Sequence, residues 1–239
     1  MLQLLDLTLP TPAGNLALDE ALLLTAEEQA AAGCLRLWES PQYAVVLGRS
    51  GRVAADVDVD ACRRDGIPVL RRCSGGGTVL LGPGCLVFTL VLPWLPERGL
   101  PAIHEATASI LERLAEPLRR LVPGVEACGT SDLAIGGVKF SGNSQRWLRR
   151  TLLHHGTLLY DFSLDRISRY LKLPESQPAY RAGRAHTEFV TNLPLPGDRL
   201  RQLLADAWEA NGVLRVPPNE RAAELAAAKY ATDAWNLQR

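Results

Sequence analysis

Val69-Leu70-Arg71-Arg72-Cys73-Ser74-Gly75-Gly76-Gly77-Thr78-Val79-Leu80 is an apolar run that ends in two arginines, passes a hydroxyl and three glycines, and resumes as a second apolar run. Two strands around a glycine loop is the simplest reading. Each glycine costs about 0.5–1 kcal/mol relative to alanine in lost chain entropy, so something must require that backbone. One candidate is a bare hairpin or bulge. The other is an anion-accepting concavity of N–H groups, which the neighbouring guanidinium forks would suit. The lysine and hydroxyl of a P-loop do not follow the glycines, and neither does the helix of a dinucleotide fingerprint.

The rest of the chain surrounds this loop with alternating strand and helix signals. After the apolar Leu2 to Leu9, Asn15 reads as the N-cap of a helix carrying Leu18, Leu22 and Ala26, with Asp19 and Glu20 suiting its dipole. Cys34 to Glu39 and Tyr43 to Gly48 read as a hairpin, with Arg49 placed at a strand end where sites form. Asp58 caps a short helix ended by Gly66, and Leu86 to Leu92 is a central strand. Ile103 to Leu121 keeps helical spacing, with Pro117 expected to kink or shorten its last turn. Leu133 to Ile135, Gly136-Gly137 and Val138 to Phe140 give the clearest hairpin signal. Thr151 to Tyr160 is a strand in which His154 and His155 face opposite ways. Leu164 to Leu171, a helix started by Asp198, and Asn219 to Lys229 read as helices, whereas Pro174 to Asn192 lacks periodicity and reads as a lid, a binding loop or a disordered segment.

With 239 residues, 47% of them hydrophobic, the chain is long enough for one full core. Acidic and basic residues balance at 26 each, which argues against nucleic acid or an anionic membrane as partner. No leader pattern or membrane-length apolar run is present, so a cytoplasmic location is expected. Five cysteines without a C-x-x-C pair argue against a disulfide framework or a zinc site. Only Lys139, Lys172 and Lys229 among the basic residues are lysines.

Lys139 therefore stands out. Flanked by Gly136, Gly137 and Gly142, its ammonium can lie on open backbone and offer a point charge to carboxylate or phosphate. Asp132 could cap a turn or hold magnesium beside a nucleotide phosphate. Either histidine could be a core residue or face a substrate.

Three segments together resemble the lipoate-protein ligases and octanoyltransferases. Arg71 to Val79 is similar to their R-R-x-S-G-G-G-[AT]-V signature, Gly137 to Gln145 to G-x-K-[IV]-[SA]-G-[NS]-[AS]-Q, and Leu153 to Leu159 to L-x-H-G-[TS]-[LI]-L; Asn15 to Leu22 fits the family's first helix. The resemblance implies an α/β fold of the biotin/lipoate ligase type, a mixed β-sheet flanked by helices, as a single catalytic domain over residues 1–239 without the ligases' small C-terminal accessory domain. It implies ATP with Mg as co-substrate and ion, lipoate or octanoate and its acyl-AMP as ligand, and no tightly bound metal. It implies a lipoyl-carrier domain or glycine-cleavage H-like protein as partner, with a separate accessory-domain protein as a further candidate.

By position, Lys139 would stabilise both half-reactions. Arg71, Arg72, Ser74, Gly75, Gly76, Gly77 and Thr78, with Ser141, Gly142, His155, Gly156 and Thr157, would bind the acyl adenylate. Asp132 would approach the nucleotide and its Mg, although Ser131 stands where the ligases commonly carry asparagine. The alternative is an octanoyltransferase working through a cysteine thioester, with Cys128 as nucleophile ahead of Cys73 and Cys85. A third reading is a non-catalytic subunit that holds a lipoyl domain. Arg146, Arg149 and Arg150 form the densest cationic cluster and are expected to help dock an acidic carrier.

Overall fold

The structure is a computed structural model describing residues 2–29, 32–94 and 103–239. Eleven strands are described: β1 (Gln3–Asp6), β2 (Cys34–Glu39), β3 (Ala44–Leu47), β4 (Val69–Arg71), β5 (Val79–Leu81), β6 (Cys85–Pro93), β7 (Val125–Cys128), β8 (Asp132–Ile135), β9 (Val138–Trp147), β10 (Thr151–Leu159) and β11 (Gly212–Val213). Eight of them form a mixed sheet in the order β11-β1-β2-β6-β10-β9-β8-β7, and β4-β3-β5 form a second, smaller sheet. In the large sheet β1 runs parallel to both β2 and β11, and the other pairs are antiparallel.

Alternation along the strands sorts side chains to two faces. Leu35 and Leu37 of β2 and Leu86, Phe88 and Leu90 of β6 join a core with Ile110, Leu114 and Leu118 of the helix α4 (Ile103–Leu121), once α1 (Pro12–Gln29), α2 (Val53–Asp56) and α3 (Val59–Arg64) have been passed in the chain. On the opposite face Trp38, Val87 and Leu159 pack with Leu16 and Ala17 of α1 and with the small sheet. The glycine loop between β4 and β5 thus lies on the α1 side of the large sheet.

Several expectations hold in detail. Asp58 Oδ1 accepts from the Ala61 N–H at 2.8 Å at the start of α3, β6 is central between β2 and β10, and β8 and β9 are joined through Gly136-Gly137. α5 (Asp165–Tyr170) occupies the expected place after β10. The segment 174–192 carries a 3-10 turn at Ala179–Arg181 and the single-turn α6 (His186–Phe189). It is followed by α7 (Gly197–Ala207), α8 (Asn219–Leu225) continued by a π-turn at Ala226–Tyr230, and α9 (Asp233–Asn236).

Other expectations are corrected. β2 and β3 do not pair; each enters a different sheet, because β3 finds β4 and β5 as partners instead. α1 begins at Pro12, with Thr11 Oγ1 accepting from the Gly14 N–H at 3.1 Å, while Asn15 sits inside the first turn and bonds back to Leu9. Asp19 does not face solvent near the dipole but is buried against Arg36 at 2.6 Å. Burial alone would raise the Asp19 carboxyl, but the charge of Arg36 and the neighbouring His155 outweigh it and hold the carboxyl below its ordinary range. α4 runs unbroken through Pro117, and β9 continues as strand through Ser141 to Gln145.

On the α4 face, His154 stacks on Phe88 with centroids 6.0 Å apart, accepts at Nδ1 from the Gln145 amide at 2.9 Å, and faces Asn143 Oδ1 with Nε2 at 3.3 Å. This is the neutral ring, and burial pushes its pKa down to about 3. Between that value and the unfolded one near about 6.5, the unfolded chain binds a proton that the folded chain does not, so stability rises with pH and levels off above the window. Urea unfolding is expected to lose up to about 1.4 kcal/mol per pH unit from this residue as pH falls from 6 to 4. His154→Gln is expected to flatten that slope, and an unchanged slope would count against a buried neutral ring.

Candidate active site

Arg72 organises the glycine loop. Its guanidinium is buried and donates to the carbonyls of Val46 at 3.3 Å and Gly77 at 2.9 Å and to that of Gly75, while Nε reaches Ser74 Oγ at 3.1 Å. Burial lowers its pKa to about 10, which leaves it charged at neutral pH. With Arg72 donating to the Ser74 oxygen, the Ser74 proton points to His155 Nε2 at 2.5 Å, and His155 Nδ1 stands 3.7 Å from Asp19 Oδ2. The loop is therefore fixed by β3 and β10, with α1 behind His155. Of its three glycines only Gly76 has a positive φ, 82°; a side chain at Gly75 or Gly77 would meet nothing within 4 Å. A turn alone explains one glycine, and the other two leave space beside the backbone.

A cavity of about 160 Å³ runs along the loop at Gly76 and Gly77. Leu16, Trp38, Val46, Val79, Leu81 and Val87 make its apolar wall, and Arg72, Gly76, Gly77, Thr78, His155, Gly156 and Thr157 line it with Lys139 and Asp132. It adjoins a second compartment of about 450 Å³ that shares Gly77, Thr78, Ser131, Asp132, Lys139, Gly142 and Thr157 and adds Lys172, Arg181 and His186. Lys139 stands where the two compartments meet. Its Nζ lies 2.7 Å from Asp132 Oδ1 and over the bare Cα of Gly142, where a Cβ would come within 2.8 Å of the nitrogen. Any side chain at Gly142 would displace the ammonium.

The structure thus brings together most of the residues singled out from the sequence, and it sets five aside. Arg71 was expected to line the channel, but its guanidinium is turned the other way and donates to the carbonyls of Gly48, Gly51, Trp235 and Asn236. Ser141 is buried and lies outside both cavities, accepting from the Asn143 amide. Ser74 and Gly75 shape the loop from behind rather than line it. Arg49 is exposed, and only its backbone N–H touches the loop, at Ser74 O. The expected cationic patch is also reduced. Arg146 is drawn inward to Glu20, which leaves Arg149 and Arg150 exposed.

Both oxygens of Asp132 are engaged, Oδ1 by Lys139 and Oδ2 by Tyr180 Oη, which donates at 2.7 Å. No group of three His, Cys, Asp or Glu fit to hold a metal is found among the described residues. None of the five cysteines lines either cavity. Burial pushes Cys34 up to about 12 and Cys62 up to about 11, and it raises Cys73 and Cys85 as well. Cys128, only partly buried, is raised by burial and then by Glu126 and Asp132. Such thiols are held as thiols, which are poor nucleophiles.

Sequence reasoning missed the apolar wall, since Leu16, Trp38, Val46 and Val87 lie on four separate elements with no shared motif. It also left Lys172 and Tyr180 unassigned. Among the described residues no helix is long and apolar enough to cross a membrane.

Comparison with known proteins accounts for this geometry. The chain is 32% identical over 85% of its length to a protein of Aeropyrum pernix classed with lipoate-protein ligase A, spanning 73% of that protein. It is 30% identical over 76% of its length to a Mycoplasma pneumoniae protein of the same class, spanning 52% of it. Octanoyltransferase LipM of Kyrpidia tusciae is 27% identical, with 94% of both chains covered. Two solved structures share the fold: the bi-partite lipoate protein ligase of Thermoplasma acidophilum (TM-score 0.82, 23% identity, 99% of this chain and 96% of that one) and a lipoate-protein ligase A bound with ATP (TM-score 0.81, 24%, 99% and 98%). Residues 11–200 match the model of the lipoyl protein ligase A/B catalytic domain, and the chain belongs to that family.

Proposed function

We propose that this chain is a lipoate-protein ligase that activates lipoate or octanoate with ATP and passes the acyl group to a lysine of a lipoyl-carrier domain or a glycine-cleavage H-like protein. The observation that carries this reading is the position of Lys139 on the shared wall of two adjoining compartments, one closed by Leu16, Trp38, Val46 and Val87 and the other carrying Lys172, Arg181 and His186, with no cysteine on either wall. The family, and relatives classed as lipoate-protein ligases, support it. The Thermoplasma acidophilum neighbour, described with its E2 lipoyl domain, supports a carrier domain as partner, and its bi-partite make-up supports an accessory domain supplied by a separate protein.

In the first half-reaction the acyl carboxylate attacks the α-phosphorus of ATP, an O–P bond forms, and the bond to the departing pyrophosphate breaks. Lys139 sits where it can stabilise charge on the carboxyl and phosphate oxygens together. The glycine wall between Arg72 and Thr78 lets the chain of the acid lie against the backbone. In the second half-reaction the carrier amine attacks the acyl carbonyl, a C–N bond forms, AMP leaves, and the amine proton passes to solvent. Lys139 again faces the developing oxyanion.

The second reading is an octanoyltransferase, favoured by the full-length likeness to the Kyrpidia tusciae enzyme. It requires a thiolate, and Cys128 would have to leave two acidic neighbours to reach the cavity. The two readings separate by assay. Lipoate- or octanoate-dependent exchange of labelled pyrophosphate into ATP is expected, with Lys139→Ala lowering it by about 100-fold or more. Absence of exchange at saturating acid and nucleotide would overturn the ligase reading. Cys128→Ala is expected to leave acyl transfer intact. Transfer from octanoyl-carrier protein that disappears with this substitution would establish the transferase instead.

A further inference from the structure

The segment 174–192, which the sequence leaves without periodicity, grips the β8–β9 hairpin around Lys139. Thr191 N–H donates to Lys139 O at 2.8 Å, and Arg184 donates to Gly137 O and to Tyr180 O, each at 2.8 Å. The Tyr180 ring packs on Phe189 at 5.1 Å, and its Cε1 would lie 3.2 Å from a Cβ at Gly129. From that seat the phenol reaches Asp132 Oδ2 at 2.7 Å, while Oδ1 of the same carboxylate holds Lys139 Nζ at 2.7 Å. Asp132 is only 8% exposed. Burial and the adjacent carboxylate raise the Tyr180 pKa well above its usual value, so the phenol remains a donor.

The terminal torsion of an aspartate is broad and roughly two-fold, so one ion pair does not fix the plane of the carboxylate. A second, charge-assisted hydrogen bond to the other oxygen does. With the plane fixed, one of the three ammonium protons of Lys139 is committed to Oδ1 and the remaining two are aimed into the cavity. We propose that Tyr180, seated by the 174–192 segment, is a positioning residue that acts through Asp132 to aim the Lys139 ammonium. The functional consequence rests on the ligase reading, because it is there that Lys139 meets the acyl carboxyl and the phosphate.

Tyr180→Phe removes one oxygen and keeps the ring on Phe189. In acyl-dependent pyrophosphate exchange it is expected to lower kcat about tenfold with the KM for the acid nearly unchanged, as loss of alignment rather than of binding. In an Asp132→Asn background the same change is expected to add nothing, since residues that act through one group are not additive. A full-rate Tyr180→Phe enzyme, or multiplicative effects in the double variant, would overturn the proposal. A readout independent of activity uses the three lysines. Acetylation by acetic anhydride, followed by mass spectrometry, is expected to label Lys139 several-fold faster in Tyr180→Phe while Lys229, held by Glu20, stays constant. Unchanged Lys139 labelling would overturn the proposal. Should the wild-type protein show no exchange, the ligase reading fails and the labelling comparison still decides the clamp.

Discussion

A guanidinium taken out of water needs its N–H donors matched, and Arg72 makes four side-chain hydrogen bonds, three of them to the loop that its own strand leads into. Three of its acceptors, the carbonyls of Gly75 and Gly77 and the Ser74 oxygen, belong to residues two to five positions further along the chain. The loop is curled around its own cation. Leaving such a group unmatched would cost several kcal/mol, so the loop cannot relax into an ordinary turn without losing its partner. Arg71 does the complementary work on the other side, tying β4 to the turn after β3 and to the C-terminal Trp235 and Asn236.

From this constraint the site follows. A curled loop with glycines at 76 and 77 gives a wall without side chains, and Leu16, Trp38 and Val87 close the apolar end. The opposite wall is the β8–β9 hairpin, whose bulge between Leu133 and Ala134 lets Asp132 face Gly142 while Lys139 pairs with Ala134. That register brings the carboxylate and the ammonium together over a residue with no side chain.

Much of this was legible in the sequence where the cause is local. The Asp58 cap, the Gly136-Gly137 hairpin and the opposed directions of His154 and His155 depend on neighbours a few residues away, and the structure shows them as expected. The glycine run and Lys139 were legible because their residue types are costly or rare in this composition. What could not be read depends on distant partners. Arg71 and Arg72 are adjacent in sequence and point to opposite sides, and nothing local says which one meets the cavity. Asp19 looked like a dipole partner until Arg36, from another element, was placed against it. β3 looked like the mate of β2 because the strands that actually pair with it come from further along the chain. The apolar wall and Tyr180 share no motif, so only the folded chain assembles them.

The central claim is that the Lys139 ammonium, held over Gly142 by Asp132, is the charge that recognises an activated acyl group. Calorimetric affinity for a non-hydrolysable acyl-sulfamoyl adenosine tests it most directly, comparing the wild-type protein with Lys139→Met, which keeps the length of the side chain and removes its charge. A loss of about 2 kcal/mol or more, near the upper range for a hydrogen bond to a charged group, is expected. Equal affinities for the two proteins would contradict the claim.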